Sequence, residues 1–375
     1  MYWQNEYFRQ NVSMTLNNTW REDLPKYGLL GSLMIWISGT TVIWLGLNGG
    51  SWRICDFISK IEIIGDGATV IKSLSAKQAK ALAFFDQKIS MPDAYKNAGA
   101  VTQRDYTLIN FGRYLGDLEY GLDLSRFKNV EIRITNTASA AEYADLTISV
   151  MMNILRDAVP GQFKGYMHSE AWRSWVPVAS EVQYLQLPSN WLIRRIMLQP
   201  VPGIDAATGA WYTFCNNLMY NIELAFMTGN ERVWKDSWNM LVNNNLVDYG
   251  AYVFGGGSML VNANYSLDVG MGNHLYKAGI AEGQAAARGT VPTTDATTYA
   301  ELLDFKDYAG LNPIFLMEIG MAPHNCGVFR FDHDMNPATW LDTKAKDVVK
   351  LDITTRSTAT CTSANNYVVL DRLVR

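Results

Sequence analysis

Three short blocks occur twice in this chain, in the same order, and that repetition limits what it can fold into more than any other feature. Residues 24–35 (LPKYGLLGSLMI) and 187–198 (LPSNWLIRRIML) align without a gap. Leu24, Pro25, Leu29 and Met34 recur as Leu187, Pro188, Leu192 and Met197, while Leu30, Leu33 and Ile35 meet Ile193, Ile196 and Leu198. Ile61-Glu62-Ile63 corresponds to Ile222-Glu223-Leu224, and residues 122–135 (LDLSRFKNVEIRIT) match residues 341–354 (LDTKAKDVVKLDIT). Apolar segments resemble one another singly, but preserved order indicates a duplicated structural unit.

Both copies read as β-rich. Stretches 33–38, 58–64, 130–135, 146–151, 193–198, 220–226, 348–354 and 367–373 are β-branched or alternate in polarity, as half-buried strands do. Helices are few: 75–88 opens on the cap residue Ser75, and a second candidate runs from Asp295 or Thr297 to Tyr308. Residues 27–52 carry no charge before Arg53 and are long enough to span a bilayer. Gly31, Gly39 and Gly46 interrupt them, and Ser38 to Thr41 reads as a turn between two short strands. The second copy also puts Arg194 and Arg195 mid-block, which lipid would penalise.

The copies differ in length. Ile61 to Val130 is an interval of 69 positions and Ile222 to Val349 one of 127, so the second copy carries about 58 more. The excess falls within residues 243–322, whose Gly, Asn, Ala and Thr suit an elaborated surface loop. The expected division is an N-terminal arm over 1–23, a first sandwich over 24–155, a linker over 156–185 and a second sandwich over 186–375.

Composition narrows the function. With 32 basic and 36 acidic residues and no run of Lys or Arg, direct binding to nucleic acid is not expected. Charged residues are 18% and aromatics 12%, which leaves much uncharged surface available to neighbours. Cys55, Cys215, Cys326 and Cys361 lie far apart and read as reduced core thiols.

The polar N-terminal arm, LPKYGLLGSLMIWISG, ISKIEIIGDGATVIKSLSAKQ, YGLDLSRFKNVEIRIT, the restart LPSNWLIRRIML and the closing WLDTKAKDVVKLDIT and NNYVVLDRLVR together resemble the double jelly-roll major capsid proteins of tailless icosahedral viruses. That lineage includes membrane-containing bacteriophages, archaeal viruses and the adenovirus hexon. The resemblance implies an all-β fold of two tandem eight-stranded jelly-roll sandwiches with a few short helices in loops. It further implies a homotrimer with a hexagonal outline, in contact with neighbouring capsomers, penton and minor capsid proteins and an internal viral membrane. Such a protein is made in the host cytoplasm and resides in the virion shell. Two wedges per chain close a six-sided ring when three chains associate.

No cofactor is expected, and no G-x-x-x-x-G-K-[ST], G-x-S-x-G or H-E-x-x-H string occurs. Gly255-Gly256-Gly257 lacks a following Lys and reads as a flexible loop. Asp332, Asp334 and Asn336 alternate as calcium ligands do, without the Gly and Glu of an EF-hand, and form a weak metal candidate. His324 and His333 near Cys326 match no ligand spacing. Tyr2, Trp3, Tyr7, Phe8 and Trp20 of the arm and Trp172 and Trp175 of the linker carry two readings: they pack on the chain's own sandwiches, or they contact a neighbouring capsomer or a membrane, and for the arm the second is expected. The competing function is a carbohydrate-binding or carbohydrate-cleaving β-sandwich, since exposed aromatics also stack on sugars.

Overall fold

The computed structural model describes residues 1–42, 53–91, 102–159, 161–203, 215–226, 231–261, 265–269, 275–282, 301–305, 312–362 and 364–375, with backbone alone over 254–319. The first half comprises β1 (Tyr2–Met14), β2 (Thr19–Asp23), β3 (Leu29–Thr41), α1 (Ile54–Phe57), β4 (Ile58–Gly65), β5 (Thr69–Leu74), α2 (Ala76–Gln87), β6 (Thr102–Asn110), β7 (Leu122–Asp123), β8 (Val130–Asn136) and β9 (Tyr143–Arg156). One sheet runs β1-β9-β3-β6, with the short β7 on β3, and the facing sheet β2-β8-β4-β5. The chain crosses between the two facing sheets from β1 to β2, β2 to β3, β3 to β4, β5 to β6, β7 to β8 and β8 to β9, the winding of a jelly roll. Alternate residues supply the core: Leu33, Ile35 and Ile37 of β3 meet Ile61 and Ile63 of β4 and Ile132 and Ile134 of β8 in one cluster.

The second half repeats the plan with β10 (Tyr166–Trp175), β11 (Val182–Gln186), β12 (Leu192–Val201), α3 (Cys215–Leu218), β13 (Asn221–Phe226), β14 (Glu231–Ser237) and α4 (Trp238–Tyr249). An added set of strands follows: β15 (Tyr252–Val261), β16 (Tyr265–Val269), β17 (Leu275–Glu282), β18 (Glu301–Phe305) and β19 (Asn312–Gly320). The wedge closes with β20 (Gly327–Arg330), β21 (Leu341–Asp342), β22 (Val349–Thr354) and β23 (Asn365–Val374). Its strand orders, β10-β23-β12-β20 and β11-β22-β13-β14, are those of the first half.

Registers superpose residue by residue. Leu29 and Leu30 face Leu155 and Ile154, and Leu192 and Ile193 face Leu373 and Arg372. A bulge then skips Gly31 in the first copy and Arg194 in the second. Two helices are also duplicated: α2 is capped by the Ser75 side chain accepting from Gln78 N, and α4 by Ser237 accepting from Met240 N.

Several expectations need correction. Residues 1–23 are the first two strands of the first jelly roll, because β1 pairs along β9 and β2 along β8. Residues 166–175 and 182–186, all but Gln186 within the expected linker, are the matching strands of the second, so the wedges span 2–156 and 166–374. Ser38–Thr41 is no turn: β3 continues through it, paired with β6 and β9. Gly39 is needed there because a Cβ would lie 2.6 Å from Leu146 Cδ2 and 2.7 Å from the Asp145 carbonyl oxygen. The extra length begins after α4, which occupies residues expected to be loop, and it forms the sheet β15-β19-β17 and the pair β16-β18. Gly255–Gly257 lie in β15 beside a register shift, and residues 301–305 are strand where a helix was expected. The rest of that helix, 295–300 and 306–308, lies outside the described residues.

Candidate assembly surfaces and the junction between the wedges

The wedges are joined by a strand pair. β10 pairs in parallel with β5, Ser169 beside Lys72 and Glu170 beside Ser73, so one sheet runs β2-β8-β4-β5-β10-β23-β12-β20 through both halves. This buries the outer face of β12 and β23. Ile196, Leu198, Val368 and Leu370 point into the second core, while Met197 and Val369 point the other way into the first. Helix α2 lies over that face, with Gln78 donating to Gln199 at 2.9 Å and Phe85 4.9 Å from Tyr249.

Charges converge at the same seam. Consecutive strand residues normally face opposite sides, but the bulge at Arg194 turns both arginines the same way. Arg194 Nη1 and Arg195 Nη1 lie 2.7 and 2.6 Å from Asp86 Oδ1 at the end of α2. Arg194 Nε and Arg195 Nη2 lie 2.6 and 2.8 Å from Asp332 Oδ2. Arg194 Nη2 also donates to the Arg113 carbonyl oxygen at 2.7 Å. Burial alone would raise the Asp332 pKa, but Arg195 and Arg194 hold it at about 2. Beside them Lys72 Nζ donates to Ser169 Oγ (2.8 Å), which donates to Asp371 Oδ1 (2.6 Å). Burial pushes Lys72 down to about 8 against the pull of Asp371 and Asp86.

The weak metal candidate dissolves in this arrangement. Asp332 is engaged by the guanidiniums of Arg194, Arg195 and Arg330, Asp334 accepts from Asn336 N and Thr339 Oγ1, and the Asn336 side chain caps a short turn at Ala338 N. His324 is buried against the Tyr252 hydroxyl at 3.2 Å, whereas His333 is exposed. Cys55, Cys215, Cys326 and Cys361 are free thiols, all but Cys361 buried.

The five N-terminal aromatics separate into two groups. Phe8 and Trp20 pack on the first core, and Trp3 stacks on Phe163 at 6.4 Å. Tyr2 and Tyr7 remain 56% and 47% exposed. Trp172 and Trp175 pack against the second core. Tyr7 heads an exposed row on the outer face of the first β1-β9-β3-β6 sheet, continuing through Met151 to Met34, with Trp36 stacked on Tyr106 at 5.3 Å alongside. Sequence reasoning missed this surface and the seam. A signal for the first was present: Glu6-Tyr7-Phe8-Arg9 and Glu170-Ala171-Trp172-Arg173 share Glu, an aromatic and Arg, each with a bulge at the aromatic and the Arg over its ring.

Two like wedges joined edge to edge define a double jelly roll. Among solved structures this fold is similar to the STIV major capsid protein, from Sulfolobus turreted icosahedral virus (TM-score 0.58, 12% identity, covering 100% of this chain and 97% of that one). It is also similar to the capsid of the PBCV-1 virus (0.55, 12%, 99% and 94%) and to the major capsid protein P2 of bacteriophage PM2 (0.53, 9%, 100% and 98%). No family model and no curated protein sequence matches the chain.

Proposed function

We propose that this chain is the major structural protein of an icosahedral virion shell, associating as a homotrimer whose six wedges form a hexagonal tile. The observation that carries the reading is the duplication itself: two wedges of one topology stand side by side in a single sheet, and three such chains complete a ring of six. The likeness over the full length of three capsid proteins supports it. Tiles would meet neighbouring capsomers, penton and minor capsid proteins and an internal membrane. The set β15–β19, present in one wedge only, would form the outer surface. Exposed Tyr2 and Tyr7 are the N-terminal aromatics left for contacts between chains. Native mass spectrometry of the purified protein should give a trimer, and electron microscopy of its assemblies hexagonal tiles or closed shells. A stable monomer or dimer at micromolar concentration overturns the reading.

A further inference from the structure

One cross-strand pair carries different chemistry in the two wedges. In the first, Gln4 of β1 faces Ile154 of β9, and a Cβ on Gly28 would lie 3.6 Å from Ile154 Cγ2. In the second, His168 of β10 faces Arg372 of β23, and Trp191 stands at the position of Gly28. The Arg372 guanidinium lies over the indole, its Cζ 3.9 Å from the ring centroid. Its Nε is buried, and among the described residues the guanidinium has no hydrogen bond or ion pair. Glu170 approaches His168 Nε2 at 4.0 Å instead. Arg194 and Arg195 at the seam, by contrast, each hold two carboxylates. Withdrawing a guanidinium from water with no acceptor is unfavourable, and an isoleucine fills the matching position of the first wedge. Packing therefore does not account for an arginine at 372.

A second guanidinium comes from the first wedge. Arg126 donates from Nη2 to the Phe163 carbonyl oxygen at 2.9 Å, and the adjacent Phe127 packs edge-on to Tyr166 with ring centroids 6.4 Å apart. Tyr166 shares a face of β10 with His168. Burial raises the Tyr166 pKa, while Arg372 and Arg126 pull it down. Asp123 reaches Arg126 only at 3.9 Å, and the Arg126 side chain is 42% exposed, so the cluster opens to solvent. We infer that Arg372 and Arg126, with the Tyr166 hydroxyl, form a binding site for a phosphate-type oxyanion. A guanidinium fork matches phosphate oxygens in pairs, and bonds between ionised partners are the stronger kind. Stacking on Trp191 holds the Arg372 fork in place beforehand. The site lies at the end of the wedge away from β15–β19: β19 leads into His324, whose carbonyl oxygen accepts from Gln199 late in β12, whereas Trp191 precedes that strand. On the reading of β15–β19 as the outer surface, the site faces the shell interior, where a lipid headgroup and free phosphate are the two sources.

The site needs no assembly, so its test is separate from that of the shell. Isothermal titration of the full chain with inorganic phosphate at constant ionic strength should show one site per chain, and sodium chloride or sodium acetate none. Arg372→Ile copies the first wedge and should keep the parent's near-ultraviolet circular dichroism while weakening phosphate binding by about tenfold or more. Arg126→Gln, at a partly exposed side chain, should weaken it in the same direction without altering the fold. Arg173→Gln, on the same strand β10 but stacked on Trp172, should bind as the parent does. A parent blind to phosphate, or folded Arg372→Ile and Arg126→Gln variants that bind it as the parent does, overturns the site. Equal binding of acetate overturns the phosphate assignment. Phosphatidylglycerol vesicles that co-sediment with the parent and with Arg173→Gln, but not with Arg372→Ile, uphold the site with a lipid headgroup as its source. Phosphate binding without vesicle binding upholds it with the free ion. A monomeric parent that binds phosphate keeps the site and overturns only the shell reading.

Discussion

Strand β3 alternates buried and more exposed side chains from Leu33 to Thr41, whereas its duplicate β12 is buried at eight consecutive positions. The two strands share a register, a bulge and the aligned residues Leu29/Leu192 and Met34/Met197. Local propensity therefore cannot be the cause of the difference. What differs is the neighbour: β12 carries a second core on its outer face and β3 carries solvent. Fully buried strands read as continuous apolar runs and half-buried ones alternate. The second copy accordingly places Arg194 and Arg195 where the first has Gly31 and Ser32, since only the second has Asp86 and Asp332 to receive them. Gly31 answers a different demand, for a Cβ there would lie 2.6 Å from Trp3.

The strongest way to break the comparison is to remove the strand that makes the first wedge equivalent to the second. Deleting residues 1–18 takes away β1, exposes the edge of β9 and strips Met14, Phe8, Val12 and Leu16 from the first core. Loss of cooperative folding is expected, seen as aggregation or absent near-ultraviolet signal. A soluble protein melting at the parent temperature would instead restore the reading of these residues as a dispensable arm.

A smaller effect distinguishes the ionic seam from its empty counterpart. Asp332→Ala leaves two buried guanidiniums sharing Asp86, and removing one partner of a buried pair costs about 3–5 kcal/mol. Ser32→Ala, at the position of Arg195 in the first wedge, should cost about 1 kcal/mol or less. Urea unfolding measures both, and equal losses would show that the seam holds the chain no more firmly than the free face.

Much of this was legible before any coordinates. The gap-free match of 24–35 with 187–198 placed β3 and β12, and the eight strand stretches each fall on a strand, with only Tyr220 and Val348 lying one residue outside. The beginnings of both wedges were not legible, because β2 (TWRED) and β11 (VQYLQ) share no residue at equivalent positions and β1 and β10 share little beyond a first Tyr, a Glu, an aromatic and an Arg. β1, β2 and β11 are edge strands, where backbone pairing is indifferent to the side chains facing water, whereas β10 is paired on both sides by β5 and β23 and answers to a different set of neighbours from those of β1. Helix α4 hid behind its asparagines. Only its buried stripe of Trp238, Leu241, Val242, Asn245 and Tyr249 keeps helical spacing, and Asn245 holds Val328 through both backbone atoms. The seam stayed invisible for a different reason: Asp86 and Asp332 lie 108 and 138 residues from Arg194, and no local pattern reports a pairing at that range.

The finest test uses pH, because the second wedge carries a titrating group where the first has none. His168 of β10 corresponds to Gln4 of β1, as both precede by one residue the position beside Asp371 or Asn153. The residue is 3% exposed, its Nδ1 has no hydrogen-bond partner among the described residues, and its Nε2 is 4.0 Å from Glu170. Burial, then Arg372 and Lys72, pushes its pKa from 6.5 down to about 3. The folded protein therefore holds the ring neutral while the unfolded chain takes up a proton below 6.5, and stability falls by about 1.4 kcal/mol for each pH unit of acidification in that window. At pH 5 the loss is roughly 2 kcal/mol. Asp332 does not intrude, because its contribution is lost only as pH falls from 3.8 toward about 2. His168→Gln copies the first wedge into the second and should remove this slope, so that thermal unfolding at pH 7.5 and pH 5.0 differs less than in the parent. Parallel shifts in parent and variant would mean that the two wedges respond to acid alike and that the buried imidazole does not govern the difference.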